Sequence, residues 1–340
     1  REIGVSMIIN PEYAAAQEIS RLLRVPAAFS VEAFARGLVE MIGFPLLESD
    51  GMAGIPLAEY NRRHPNGVLM CAAIRGGEVF VPNGAFVPQV GDKVYIIGSQ
   101  RETARFFESL GRSGSGIRHI TVLGGSKIAT YLAWAVEKVG MKVRIVEQDP
   151  AKCEALADKL PGSLIIQGDG TDSAVIETEN LLSTDAFIAL TNRDEENLLM
   201  AMSAQRAGVT KVIAKMNRLN YIEMMREFGV DSIISPKEIT ANQISAYVRA
   251  ITGTQGSAVE HLYKLLGGAI EAVEFTAVPS TSFLDKPLKE LRLKDGMLVA
   301  AIAREGKTII PDGNTSIHVG DRVIVMAKSF FLHELDDILA

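Results

Sequence analysis

The residues best placed to do chemistry gather around one short apolar run. Ile120-Thr121-Val122-Leu123 is followed at once by Gly124-Gly125-Ser126-Lys127-Ile128-Ala129, and an acid, Glu147, stands 23 residues after Gly124 at the end of a second apolar run. Glycines at a strand-to-helix turn let the backbone approach a pyrophosphate, the helix N-terminus offers N–H groups, and an acid at this spacing takes ribose hydroxyls. The Gly-x-Gly-x-x-Gly pattern is degenerate, reading Gly124, Ser126 and Ala129. Ala at the last place only slightly loosens helix–strand packing. Ser126 adds a side chain where phosphates come closest, which weakens binding or removes it.

Further polar residues fall where later apolar runs end: Asp169 after Ser163–Gln167, Thr191 and Asn192 after Ala186–Leu190, and Lys215 near the end of Lys211–Met216. In an open parallel sheet these ends converge on one crevice, together with Glu147. Asp169 equally suits helix capping or turn chemistry, an alternative also open to Asn192, for which, as for Thr191, the ligand reading is preferred. Lys215 is either a phosphate ligand or an ordinary surface lysine.

Other chemistries find no support. The two cysteines, Cys71 and Cys153, have no Cys-x-x-Cys partner, and the five histidines lack metal-ligand spacing, so no metal site is expected. No catalytic residue stands out: there is no Tyr-x-x-x-Lys and no proton donor beside the cleft, which counts against the alternative of an NAD(P)-dependent oxidoreductase. A net charge of −6 argues against a nucleic-acid surface. No apolar stretch approaches the roughly 20 residues that cross a bilayer.

The elements that must position these residues alternate strand and helix from Ile117 to Gly267, which predicts a Rossmann-like, doubly wound parallel sheet of about six strands. A helical pattern follows the glycine turn, with Ile128, Leu132, Val136 and Val139 on one face and a stop at Gly140. Ser235-Pro236-Lys237-Glu238 launches another. Short strands with Gly/Asp turns then predict a small β-rich α+β domain over 268–340, closed by a helix from Phe331 to Leu339.

The chain is also a tandem repeat. Glu2–Pro11 recurs as Glu227–Pro236 at an offset of 225, and Val90-Gly91-Asp92-Lys93-Val94 recurs as Val319-Gly320-Asp321-Arg322-Val323 at an offset of 229. The expected domains are therefore 1–44, the tail of a first Rossmann-like domain; 45–110, a first small domain; 111–116, a Gly/Ser linker; 117–267, a complete Rossmann-like domain; and 268–340, a second small domain. On this reading the first copy lacks about its first hundred residues, an N-terminal truncation.

The order and duplication of these signals resemble the tandem TrkA N/TrkA C modules, or regulator-of-potassium-conductance (RCK) domains, of Trk/Ktr potassium-uptake systems. The residues that carry the resemblance are Ile120–Ala129, Ile145-Val146-Glu147, Gly168-Asp169, Ala189–Asn197, Ser235-Pro236 and the turns at Gly91 and Gly320. The resemblance implies a non-enzymatic, cytoplasmic subunit, peripheral on the inner face of the plasma membrane. It would assemble as a homo-oligomeric ring under a potassium-translocating membrane subunit and respond to NAD(H) or ATP/ADP as a regulatory ligand. Carried onto this chain, the ligand residues would be Gly124, Gly125, Ser126, Lys127, Ile128 and Ala129 for the phosphates, Glu147 for a ribose, and Gln148 beside it. Asp169, Thr191, Asn192 and Lys215 would line the same cleft. The cytoplasmic gating domain of a potassium channel or antiporter is the neighbouring alternative.

Overall fold

The computed structural model describes residues 7–112, 116–218, 220–222, 229–230, 232–252, 259–265, 268–328 and 331–340. Residues 2–6, 227–228 and 231 of the first repeat match and 113–115 of the Gly/Ser linker lie outside the described residues. The chain divides into two compact units, the first Arg1–Phe29 with Ser115–Thr240, the second Ser30–Gly114 with Ala241–Ala340.

Helix α1 (Pro11–Arg24) belongs to the first unit. Asn10 caps it by accepting the Tyr13 amide at 3.0 Å, and Pro11 presets φ for the first turn. Its buried face is Ala15, Ala16, Ile19, Leu22 and Leu23, the i, i+4, i+7 spacing of one apolar stripe.

The second unit opens with β1 (Ser30–Phe34), β2 (Val39–Pro45), α2 (Leu57–Arg63), β3 (Val68–Arg75), β4 (Glu78–Phe80), β5 (Lys93–Gly98) and α3 (Gln100–Ser109). The strands form an antiparallel sheet in the order β1-β2-β5-β3-β4. Asp92, in the repeated Gly-Asp turn before β5, is buried. It accepts two hydrogen bonds from Arg75, at 2.8 and 2.7 Å, and one from the Gln89 amide at 2.8 Å.

The first unit resumes with β6 (His119–Leu123), α4 (Lys127–Glu137), β7 (Lys142–Glu147), α5 (Pro150–Lys159), β8 (Leu164–Gln167), α6 (Ser173–Thr178), β9 (Ala186–Ala189), α7 (Asp194–Arg206), β10 (Lys211–Lys215) and β11 (Ile233–Ile234). All pairings are parallel, in the order β11-β10-β9-β6-β7-β8. This is the expected doubly wound sheet: β6 to β8 run outward on one side, and β9 returns to the other side of β6. Its strands are apolar on both faces because helices cover both, and Leu123, Val146, Phe187, Ala189, Met200 and Val212 share one core. Helix α1 packs along α4, with the rings of Tyr13 and Tyr131 5.6 Å apart and Asn10 Nδ2 donating to Tyr131 at 3.2 Å. Ile128, Leu132 and Val136 of α4 are buried as expected, but Val139 is exposed. The helix stops at Glu137 and turns at Gly140, whose φ is +84°, so Val139 falls outside the helical face.

Helix α8 (Pro236–Thr252) crosses from the first unit to the second. Ile244 and Val248 on it are exposed, whereas their repeat counterparts on α1, Ile19 and Leu23, are buried. The second unit ends with β12 (Val259–Leu265), β13 (Ile270–Thr276), β14 (Met297–Arg304), β15 (Lys307–Ile309) and β16 (Arg322–Lys328), again antiparallel, in the order β12-β13-β16-β14-β15. This repeats the first small sheet strand for strand. Even the bulge recurs, between Met70 and Ala72 and between Val299 and Ala301. Asp321 repeats Asp92, accepting from Arg304 at 2.8 and 2.7 Å and from the His318 amide at 2.8 Å. Both small sheets take in strands upstream of residues 45 and 268, since β1–β2 and β12–β13 are hairpins that pair onto β5 and β16.

The expected helix over Phe331–Leu339 is instead a single 3₁₀ turn, Leu335–Ile338. Leu335 and Ile338, at the two ends of this turn, are both buried, as the i, i+3 alignment of a 3₁₀ turn allows. Leu339 then leaves to form a bridge with Leu293.

Candidate functional site

The crevice is built where the strand order reverses, between β6 and β9. Leu190 donates to the Leu123 carbonyl and Gly124 to the Val146 carbonyl, both at 2.8 Å, so the chain ends of β6, β7 and β9 are laced together just before they diverge. Gly124 has φ +99°, a conformation that a side chain resists, and a Cβ there would stand 3.1 Å from the Thr191 nitrogen. At Gly125 the constraint is space: a Cβ would lie 2.5 Å from Leu156 Cδ1 and 3.0 Å from Glu147 Oε2. The two glycines thus let the turn pass between two strand ends and enter α4.

Ser126 is the N-cap of α4. Its hydroxyl accepts the Ala129 amide at 3.3 Å, so the side chain is turned into its own helix. Ile128 and Ala129 are buried and Lys127 is exposed. Glu147, at the end of β7, is buried and anchored on both oxygens: Oε2 accepts the Gly125 amide at 2.9 Å and Oε1 the Asp149 amide at 3.0 Å. Gln148 beside it is exposed.

Asp169, exposed beyond β8, forms a turn, accepting the amide and hydroxyl of Thr171 at 2.9 and 2.7 Å. These bonds, with a smaller pull from Arg193, hold its carboxyl below the ordinary carboxylate range. Asn192 is exposed, and its Oδ1 receives Lys215 Nζ at 2.9 Å, so the ends of β9 and β10 meet through this pair. Lys215 is not a surface lysine. It is buried, and burial pushes its pKa down, partly opposed by the charges of Asp194 and Glu12.

Two residues of the Ala189–Asn197 stretch that were expected to carry no ligand role hold this rim together. Asn197 is fully buried on α7. Its Oδ1 accepts the Thr191 amide and hydroxyl at 3.0 and 2.8 Å, and its Nδ2 donates to the carbonyls of Thr191 and Lys215 at 3.0 and 2.9 Å. Asp194, at the start of α7, accepts from the amides of Asn217 and Arg218 and from Asn217 Nδ2. The signal was present: Asn197 interrupts the apolar stripe of Met200, Ala201 and Ala204, and a polar residue on a buried face must have partners.

The arrangement offers phosphates a glycine turn and a helix N-terminus, offers a hydroxyl-bearing sugar a fixed carboxylate, and presents one buried ammonium. Among the described residues no group of His, Cys, Asp and Glu could hold a metal ion, and no helix is long and apolar enough to cross a membrane.

Comparison with known proteins agrees with this architecture. The TrkA-N domain family matches residues 120–236, and the TrkA-C domain family matches 41–111 and 272–340. The Trk system potassium uptake protein TrkA homolog of Archaeoglobus fulgidus is 30% identical, covering 99% of this chain and 74% of its own length. TrkA homolog 2 of Methanosarcina mazei is 29% identical with the same coverage. Among solved structures, the GsuK RCK domain aligns with a TM-score of 0.53 at 15% identity, over 97% of this chain and 69% of that one. The GsuK channel bound to NAD aligns with a TM-score of 0.54 at 16% identity, over 97% and 57%. Two TrkA-C matches flanking one TrkA-N match, with a relative 30% identical over nearly the whole chain, identify the chain as a member of the TrkA family of potassium-uptake proteins.

Proposed function

We propose that this chain is a nucleotide-responsive gating subunit of a potassium-uptake transporter, with NAD(H) or an adenine nucleotide as its regulatory ligand. The observation that carries this reading is the Gly124–Thr191 approach at the point where the strand order reverses. There the sheet opens a crevice, and Gly124, Gly125 and Glu147 stand at its edge. Phosphates would sit on the turn from Gly124 to Ala129, with Ser126 leaving room because its hydroxyl is engaged by α4. Glu147 and Gln148 would take a ribose. Asp169, Thr191, Asn192 and Lys215 would border the rest.

The ligand acts by differential affinity: it favours whichever arrangement of the subunit closes the crevice and biases a membrane partner accordingly. That partner would be the potassium-translocating subunit, of Trk or Ktr type, at the inner face of the membrane. The exposed stripe of Ile244, Val248 and Ile251 on α8 supports assembly into a larger ring. Calorimetric titration with NADH, NAD+, ATP and ADP, with Glu147→Ala as control, tests the reading. Saturable binding that the variant loses, with no cofactor turnover, supports it. Failure of all four to bind overturns it.

A further inference from the structure

Strand β10 carries a lysine at each end, and both are buried: Lys215 at the crevice and Lys211 at the opposite end. Four residues apart on a strand, they lie on the same face, about 13 Å from one another along the rise of the chain. Lys215 has its place in the proposed site. Lys211 does not, and a buried ammonium far from the crevice is costly unless it is doing something for its partners.

Those partners are informative. Lys211 Nζ donates to the Ala28 carbonyl and to Ser232 Oγ at 2.9 Å, and it lies 3.4 Å from the Pro26 carbonyl. Pro26 and Ala28 are in the segment that follows α1, and the chain passes from the first unit to the second between Phe29 and Ser30. Ser232 is the residue before β11, which leads through Ser235 and Pro236 into α8, where the chain passes to the second unit again between Thr240 and Ala241. Of the three places where the backbone changes unit, one ammonium therefore holds the approach to two. The remaining one, between Gly114 and Ser115, follows the Gly/Ser stretch.

We infer that Lys211 is a coupling residue, a pin that fastens both hand-over segments to the amino end of β10. The opposite end of the same strand is held to the crevice rim by Lys215, through Asn192, and by Asn197, through the Lys215 carbonyl. A displacement of the rim is thereby delivered along one buried strand to the segments that lead into the second unit. An unpinned segment would not follow. The pin itself stands on the geometry alone, whereas its use in signalling rests on the nucleotide-gating reading above.

Hydrogen exchange of the full chain separates the two. In the unliganded protein, Lys211→Met keeps the stem of the side chain and removes the ammonium. Amides of residues 27–34 and 232–240 are expected to exchange at least tenfold faster, with β6 and β7 unchanged. Ser232→Ala, which removes a single partner, is the second variant should Lys211→Met fail to fold, and it should accelerate 232–240 alone. Unchanged exchange in both segments overturns the pin. With saturating NADH, the wild type is expected to change protection in 27–34, and Lys211→Met to bind NADH within threefold of wild type without that change. Binding with the wild-type response retained overturns coupling through Lys211. Absence of NADH binding to the wild type counts against the gating reading, while the unliganded comparison still decides the pin.

Discussion

Asn197 Nδ2 donates to the carbonyl of Lys215 at 2.9 Å, so one fully buried amide on α7 closes the gap between the carboxyl ends of β9 and β10. The same side chain satisfies the amide, hydroxyl and carbonyl of Thr191. The amide is oriented by its surroundings: its oxygen faces two donors and its nitrogen two acceptors.

That polarity makes two substitutions distinguishable. Asn197→Ala leaves the Thr191 and Lys215 backbone groups without their partners and should cost about 2 kcal/mol. Asn197→Asp keeps the acceptor but turns a carboxylate oxygen toward two carbonyls, and it should cost more, about 3 kcal/mol or above, despite being nearly isosteric. Urea unfolding at neutral pH measures both. An aspartate variant as stable as wild type would contradict the assigned amide orientation.

Gly125→Ala tests the crevice turn. The new methyl would meet Leu156 Cδ1 at 2.5 Å and Glu147 Oε2 at 3.0 Å, so the α5 side chain or the carboxylate must give way. Overpacking of this kind costs about 1–3 kcal/mol. Because Glu147 is also the carboxylate expected at the ribose, NADH affinity should fall at least tenfold. A second substitution that relieves the clash, Leu156→Val, should recover stability and part of the affinity in calorimetry.

The parallel sheet was legible in the sequence because its strands are short, largely apolar runs that end at glycine or polar residues, and because the glycine turn and Glu147 keep their spacing. The rim was half legible. Thr191, Asn192 and Lys215 follow from where strands end. Asn197 belongs to the stretch that carries the resemblance, but its role as a brace does not follow from strand ends, since it lies six residues on, inside a helix. The expected closing helix over Phe331–Leu339 is a 3₁₀ turn of four residues, Leu335–Ile338, because the chain bridges back to Leu293 at Leu339. What no pattern announced is Lys211, whose partners at residues 26, 28 and 232 are distant in sequence.

The repeated Gly-Asp turns predict matched energetics. Asp92 and Asp321 are each buried under an arginine that remains partly exposed. Removing the arginine strands a buried carboxylate, so Arg75→Met and Arg304→Met should each cost about 3 kcal/mol. Asp92→Asn and Asp321→Asn keep an acceptor and leave an arginine that can reach solvent, so each should cost less, about 1–2 kcal/mol. Thermal unfolding of the four variants provides the comparison. Asparagine variants less stable than their methionine partners would contradict the assignment of the larger cost to the stranded carboxylate.

Lys215 predicts the pH dependence. Burial lowers its pKa from the ordinary 10.5, so the ammonium is lost at a lower pH in the folded protein than in the unfolded chain. In the unliganded protein the unfolded state then holds more protons across the window between the lowered value and 10.5, and stability should rise with pH there. Binding has the opposite sign. An anionic ligand favours the charged lysine, so NADH affinity should decline above the lowered pKa, by about one log unit per pH unit, until the pKa of the bound state is passed. Lys215→Met should flatten both profiles, weaken NADH binding at neutral pH and leave the protein at least as stable, because a buried charge has been replaced by an apolar group of similar length. Calorimetry and urea titrations between pH 7 and 10 decide the matter. A wild-type affinity that is level across that range, or a methionine variant that retains the decline, would remove Lys215 from the ligand's surroundings.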